Sequence, residues 1–232
     1  MLSYYTIMYI MLTQEQSQRF AIEEQTSTDN ILKEHYQIYI LDILFSAPFS
    51  SSLAFKGGTA LKLVYNSFRF SEDLDFSIIN TIDFAKFKKT IQKIPNIIPE
   101  SKINEVYEKK YTLFAKLTFN IDFKPIPIGV KVEINKGKKE FEYTPSLIRS
   151  RFNNLEVIGN TYTLKQILKD KKLTLKERRE PRDLFDTWYI SQKLGVAYNV
   201  SKEIKYTRKE LMDKLNPYLP KKQRNVLNLF EK

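Results

Sequence analysis

Asp73 and Asp75 stand one residue apart in the stretch FKGGTALKLVYNSFRFSEDLDFS, residues 55–77. On a strand such a pair points to one face, with Cα atoms about 6.5–7 Å apart. Two carboxylates so placed can bridge the metal ions that clamp the attacking and leaving oxygens of a phosphoryl or nucleotidyl transfer. Upstream, Gly57 and Gly58 permit the backbone conformations and close approach that a phosphate cradle needs. Thr59 can cap the following helix while offering its hydroxyl to an anion. An ordinary strand-to-helix turn would use the same glycines for shape alone, so the turn and the carboxylates carry the argument only together.

Composition narrows the chemistry. The chain has 232 residues, no cysteine and one histidine. That excludes a disulfide scaffold, a cysteine nucleophile, a zinc finger and a histidine-rich metal site. A metal here must be held by oxygen, which favours Mg²⁺ or Mn²⁺. With 42% apolar residues the chain can fill a core. Its net charge of +11 suits a polyanionic partner, nucleic acid above all, although Lys, Asn and Ile enrichment also follows from biased genome composition. The opening MLSYYTIMYIML is too short to span a bilayer and lacks a basic n-region and a cleavage site, so it reads as a packed N-terminal segment of a cytoplasmic protein without membrane contact.

The elements that must position these groups follow from periodicity. Residues 13–46 read as helices, with Ile31, His35, Ile38, Leu41 and Phe45 on one face. SLAFKGG reads as a strand and turn, TALKLVYNSF as a helix with Leu61, Val64 and Tyr65 inward, and 83–98 as a helix capped near Thr81 or Asp83. YTLFAKLTFNID and PIGVKVEIN alternate as strands, with Val130, Val132 and Ile134 facing one way and Lys131 and Glu133 the other. From Thr163 the pattern is helical: 163–179, 181–195, 201–215 and 221–232, with Pro181 at a first turn and Gly195 at a C-terminal cap. The expected fold is α+β, a mixed sheet with flanking helices over residues 1–155 and a helical region over 156–232, with a soft boundary between 150 and 163.

The run GGTALKLVYNSFRFSEDLDF resembles the first motif of the DNA-polymerase-β-like nucleotidyltransferases, and specifically their AbiEii/AbiGii toxin branch, which includes the MenT-type toxins. The similarity resumes in DKKLTLKERREPRDLFDTWYI, residues 170–190, where Lys171, Asp183 and Asp186 fall on the branch's later lysine and aspartates. The resemblance implies a polymerase-β-like fold and a Mg²⁺-dependent (or Mn²⁺-dependent) transfer of NMP from an NTP to an acceptor hydroxyl. It also implies a cognate antitoxin protein and, by likeness to MenT-type relatives, the 3′ end of tRNA as acceptor.

It further implies roles. Asp73 and Asp75 would hold metal; Gly57, Gly58 and Thr59 would hold the triphosphate. Lys171 would offset charge on the leaving pyrophosphate. Asp183 and Asp186, three apart on one helical face, could orient that lysine or Arg182. Glu133 is the candidate third carboxylate, where this superfamily usually has aspartate, and Lys131 shares its face. Arg69 and Ser71 match the branch's Arg-Phe-Ser turn; Arg69 either touches nucleotide, positions the metal strand, or bridges to Glu72 or Asp73. His35 reads as a helix-face residue, and Phe185, Trp188 and Tyr189 as core. Basic clusters at 88–93, 136–140, 175–182 and 221–224 make a polyanion track plausible. Two rival readings remain: a non-catalytic RNA- or partner-binding protein on the same fold, and nucleotidyl transfer to a protein or small molecule.

Overall fold

A computed structural model describes residues 10–137, 140–200 and 204–232. The first helix, α1 (Gln14–Glu24), starts at a capping box in which Thr13 and Gln16 exchange side-chain and backbone hydrogen bonds. Helix α2 (Thr28–Phe45) is capped by Ser27 and is buried almost all round. Ile31, Ile38 and Leu41 are fully enclosed, and the helix packs against the sheet. Most of the MLSYYTIMYIML segment lies outside the described residues.

A single mixed sheet of seven strands carries the core: β1 (Leu53–Lys56), β2 (Leu74–Ile78), β3 (Ser101–Lys109), β4 (Thr112–Phe119), β5 (Ile128–Asn135), β6 (Tyr143–Arg149) and β7 (Glu156–Tyr162). Their spatial order is β3-β4-β5-β2-β1-β7-β6. Strand β2 lies antiparallel to β1 and parallel to β5, and β1 runs parallel to β7. The alternation expected in 127–135 is present, with Val130, Val132 and Ile134 fully buried. Between β1 and β2 sits α3 (Gly57–Leu63), which starts at the first glycine rather than at Thr59. Helix α4 (Phe84–Gln92) is capped by Asp83, and a short helix α5 (Ile94–Ile97) follows it.

Three strands had no clear sequence signal, and each has a physical reason. Strand β3 is an edge with mostly polar, exposed side chains. Strand β6 is the opposite edge and contains Pro145, which an edge tolerates because one side needs no ladder hydrogen bonds. Strand β7 is interrupted in pattern by Gly159 and Asn160, yet it pairs with β1 inside the sheet. Residues 156–162 are therefore strand, and the helical stretch starts at Leu164 rather than at 156.

Helices α6 (Leu164–Arg178) and α7 (Pro181–Leu194) form an antiparallel pair, with Pro181 in the first turn and Gly195 at φ +62° closing the second. Phe185 and Tyr189 are core and Trp188 packs against it. The long helix expected over 201–215 is reduced to α8 (Arg208–Lys214), started by a Thr207–Glu210 capping box; Ser201, Lys202 and Glu203 lie outside the described residues. Pro217 and Pro220 then stop α-helical continuation, and Lys221–Leu229 forms 3₁₀ turns. Among the described residues no helix is long and apolar enough to cross a membrane.

Two buried features give tests. A β-carbon on Gly159 would lie 2.4–2.6 Å from the ring of Phe45. Gly159→Ala is expected to destabilise the fold by about 1–3 kcal/mol in urea unfolding, because an overpacked core must shift backbone or ring; an unchanged midpoint would refute that packing. Glu34 is buried on α2, with Oε1 accepting from Ser150 at 2.7 Å and Oε2 lacking any hydrogen bond. Burial raises its pKa above 4.5, and Lys62 and Ser150 only partly oppose this. A raised carboxyl stabilises most below its unfolded pKa and loses that contribution as pH rises through its folded value. Glu34→Gln should therefore gain stability relative to wild type at pH 8 and lose the advantage near pH 4. Thermal melts at the two values check the sign.

Candidate active site

Strand pairing gathers the acidic residues. Leu74 and Phe76 of β2 enter the core with no exposure, so alternation turns Asp73 and Asp75 outward at the strand's start. Asp75 is the register partner of Lys56 on β1 and of Glu133 on β5. Asp73 lies just before β2, with Lys131 Nζ 3.8 Å from its Oδ2. The candidate third carboxylate thus stands on the strand directly beside the D-x-D strand.

The glycine turn is shaped around these groups. Gly57 has φ +79°, and a β-carbon there would meet Asp75 Oδ2 at 2.4 Å. One on Gly58 would meet Arg69 Nη2 at 2.5 Å and Ser71 Oγ at 2.7 Å. Thr59 departs from expectation. It sits inside α3, whose N-cap is Lys56, and its buried hydroxyl donates to the Asp73 carbonyl at 2.5 Å. The hydroxyl ties helix to strand and is not turned to an anion.

A cavity of about 240 Å³ opens over this floor, bounded by Gly58, Ser71, six carboxylates and four cations. The carboxylates are Glu72, Asp73, Asp75, Glu133, Glu180 and Asp183, and the cations are Arg69, Lys171, Arg178 and Arg182. An adjoining hollow of about 180 Å³ shares Gly58, Asp75, Lys171 and Arg178, and adds Lys56, Tyr162, Ile167, Asp170 and Thr174. Burial pushes the Asp75 carboxyl up to about 6; Lys56 and Lys171 oppose this, and the charges of Asp73 and Glu133 reinforce it. Burial also raises Asp73, with Lys131 opposing. Glu72 moves the other way. Burial would raise it, but the Tyr218 hydroxyl at 2.6 Å and Lys33 at 2.9 Å outweigh that and hold it ionised.

One wall of the cavity is a buried ion network. Lys171 on α6 reaches Asp183 Oδ1 at 2.9 Å and Asp186 Oδ2 at 2.6 Å, both on α7. Arg69 Nε and Nη2 grip the same Asp186 carboxylate at 2.8 and 2.7 Å, and Nη1 donates to the Phe70 carbonyl. Arg69 therefore pairs with Asp186 and not with Glu72 or Asp73, whose neighbours are other cations. Arg182 lies toward Glu72, at 3.4 Å. Asp186 is fully buried and does not line the cavity; it acts through Lys171 and Arg69. For Lys171, burial would lower the pKa, but Asp186 and Asp183 outweigh it and raise it, so the ammonium persists at neutral pH.

Lys56, Glu72 and Tyr218 were not singled out as site residues from sequence. Glu72 was visible in SEDLD, whereas Tyr218 has no local signal and arrives through the C-terminal segment, where its carbonyl accepts from the Phe70 amide at 2.8 Å. His35 is buried away from the cavity, with its ring nitrogens 3.0 and 3.1 Å from the Phe152 and Ile10 carbonyls; burial lowers its pKa.

Whether a divalent ion suits the site is a question of donors. Among the described residues no three of His, Cys, Asp and Glu are arranged to enclose an ion. Asp73 and Asp75 both line the cavity, and such a carboxylate pair fits Mg²⁺, an ion usually held by one or two carboxylates plus water and substrate phosphates.

A mixed sheet with paired carboxylates beside a glycine turn, faced by a helical lysine, fits the phosphoryl- and nucleotidyl-transfer enzymes as a class. The chain belongs to the family described as nucleotidyl transferase AbiEii toxin, type IV toxin–antitoxin system, which it matches over residues 40–228. No curated protein matches the sequence. Among solved structures it is similar to JHP933 from Helicobacter pylori, with a TM-score of 0.54 and 22% identity over 76% of this chain and 72% of that one. It is also similar to MenT4, a nucleotidyltransferase toxin of Mycobacterium tuberculosis H37Rv, with a TM-score of 0.58 and 19% identity over 75% of this chain and 63% of that one. These likenesses extend the fold assignment.

The ion network carries its own test. Arg69→Met leaves Asp186 buried with one partner fewer, and a loss of about 3–5 kcal/mol in urea unfolding is expected. Adding Asp186→Leu should recover part of it. Additive losses in the double variant would show that the two side chains are not coupled.

Proposed function

We propose that the protein is a Mg²⁺-dependent nucleotidyltransferase toxin that transfers NMP from an NTP to an acceptor hydroxyl, with the 3′ end of tRNA as the favoured acceptor and a separate antitoxin protein as its neutraliser. The observation that carries the reading is the single cavity in which Asp73, Asp75 and Glu133 face Lys171 and the arginines. Asp73 and Asp75 would hold the metal, with Glu133 beside Asp75 as the third carboxylate, near the incoming hydroxyl. A bound divalent ion would supply Lewis acidity at the transferring phosphoryl and neutralise the phosphates.

The chain's own groups do the rest. Gly57 and Gly58 let the Asp75 carboxylate and the Arg69 and Ser71 side chains lie directly against the turn, and that turn, with those groups beside it, would receive the triphosphate. Lys171, kept cationic and aimed by Asp183 and Asp186, offsets charge as it shifts to the departing pyrophosphate. Arg69 and Ser71 form the wall beside Gly58, and Arg69 fixes Asp186. Asp183 serves as orienter of Lys171 at the cavity edge. In-line attack of the hydroxyl on the α-phosphorus forms the new phosphodiester and releases pyrophosphate, with the hydroxyl proton passing toward the carboxylate cluster. The acceptor rests on likeness to MenT-type relatives, because fold alone does not dictate it.

The test is incubation of the chain with each labelled NTP, Mg²⁺ and total tRNA, with EDTA as control. Label is expected on RNA and lost with EDTA, and Asp75→Asn should cut transfer by about 10²–10³-fold or more while leaving the circular dichroism spectrum unchanged. Tight RNA binding without transfer from any NTP would support the non-catalytic alternative, and label on a protein or small molecule would move the acceptor.

A further inference from the structure

We propose that the half-open face of β3, β4 and β5 beside the Asp73–Asp75 cavity docks the acceptor as a single-stranded nucleic-acid end; this rests on reading the cavity as a nucleotidyltransferase site. Strand register builds the surface. Lys116 of β4 lies directly opposite Lys131 of β5, and one step along, Phe114 lies opposite Glu133, which is itself the partner of Asp75. Residues two apart share a face, so these side chains leave the sheet on the side opposite Val130, Val132 and Ile134.

Like charges placed directly opposite each other on antiparallel strands repel. Lys116 makes no hydrogen bond or ion pair among the described residues, and the salt-bridge contact of Lys131 is Asp73 at 3.8 Å. Glu105 of β3 is the other register partner of Lys116 but forms no ion pair with it among the described residues, so the two lysines make a cationic spot with one acidic residue beside it. It borders a hollow of about 120 Å³ that Lys33, Lys116, Lys131 and Gly129 line and that runs on to Glu72 and Asp73. No atom lies within 4 Å of a β-carbon built on Gly129, so the approach is open there. Lysines around a hollow that leads into a transfer site match the phosphates of an incoming strand.

An aromatic step accompanies the lysines. Tyr107 of β3 stacks on Phe114 with centroids 4.7 Å apart and planes 18° apart, and Lys109 Nζ lies 5.0 Å from the Tyr107 centroid. Three strand spacings, about 14 Å, separate Tyr107 from Asp75 along the same row. Phe114 is itself buried, so half-buried Tyr107 is the ring of the pair open to a base; an aromatic ring beside cations accepts an unpaired base, whereas a paired base has no free face to offer. The combination selects a single strand over a duplex, with its terminal hydroxyl delivered toward Glu133 and Asp75.

The test titrates wild-type chain, without NTP, against a fluorescent single-stranded RNA, a duplex of the same length and a tRNA transcript, at several salt concentrations. Lys116→Glu should raise the dissociation constant for single strand and tRNA about tenfold, and Lys116→Ala should lower the salt slope by about one. Lys209→Glu, an exposed charge reversal on α8, which packs against α7, should stay within about twofold. Tyr107→Ala should weaken single strand more than duplex. Equal losses from Lys209→Glu and Lys116→Glu, no loss from Lys116→Glu, or no RNA binding by wild type would each overturn the proposal. Labelled-NTP transfer separates the two readings. Transfer with an unchanged acceptor KM in Lys116→Glu removes the docking face and keeps the enzyme, whereas RNA binding lost in Lys116→Glu with no transfer by wild type keeps the face and removes the enzyme.

Discussion

The arrangement depends on one buried carboxylate, Asp186, held from two sides by Arg69 and Lys171. Arg69 belongs to the loop that leads into the D-x-D strand, Lys171 to α6 and Asp186 to α7. Each ion would be costly to bury alone, and their mutual contacts, including a bidentate grip, offset that cost only in this geometry. The network therefore ties the helical layer to the sheet at a defined distance. The apolar core around Leu184, Phe185 and Ile190 packs the same helices, and the ion network sets where Lys171 sits within that packing.

The same logic explains the uneven electrostatics. The cavity lining holds more carboxylates than cations, and burial with the charges of Asp73 and Glu133 pushes the Asp75 carboxyl up to about 6 against Lys56 and Lys171. A site tuned only for rigidity would not leave that charge poorly matched. Glu72, one residue before the pair, is compensated by Lys33, Arg182 and Tyr218. Neighbouring acids of one cavity thus differ in kind: Glu72 is tied by ion pairs and a hydrogen bond to α2, Arg182 and the C-terminal segment, whereas Asp73 and Asp75 are only partly matched.

Much of the fold was legible because local patterns are strong where one face is buried. The alternation of β5, the Asp83 cap and the Pro181 start reappear in the structure, and α2 is a helix whose burial extends beyond the expected stripe to nearly all sides. Strands β3, β6 and β7 were hidden for the opposite reason. Edges bury little, so β3 and β6 carry no clean alternation, and Gly159 in β7 is small because Phe45 fills its space. Tyr218 joined the site from far along the chain, and Thr59, expected to meet an anion, is engaged by the Asp73 carbonyl.

By itself the sequence determined the chemistry available: oxygen ligands in place of sulfur or imidazole, two carboxylates on one strand face, a glycine turn beside them, and a lysine with two aspartates three residues apart. These depend on residue type and short-range periodicity, which any chain segment carries with it. Tertiary structure decided which of them meet. Strand order set Glu133 next to Asp75, helix packing turned Asp186 away from the cavity toward Arg69, and cross-strand register set Lys116 against Lys131. Such pairings join residues far apart in sequence, and they are selected by how well buried groups satisfy one another once the whole sheet and its helices have closed.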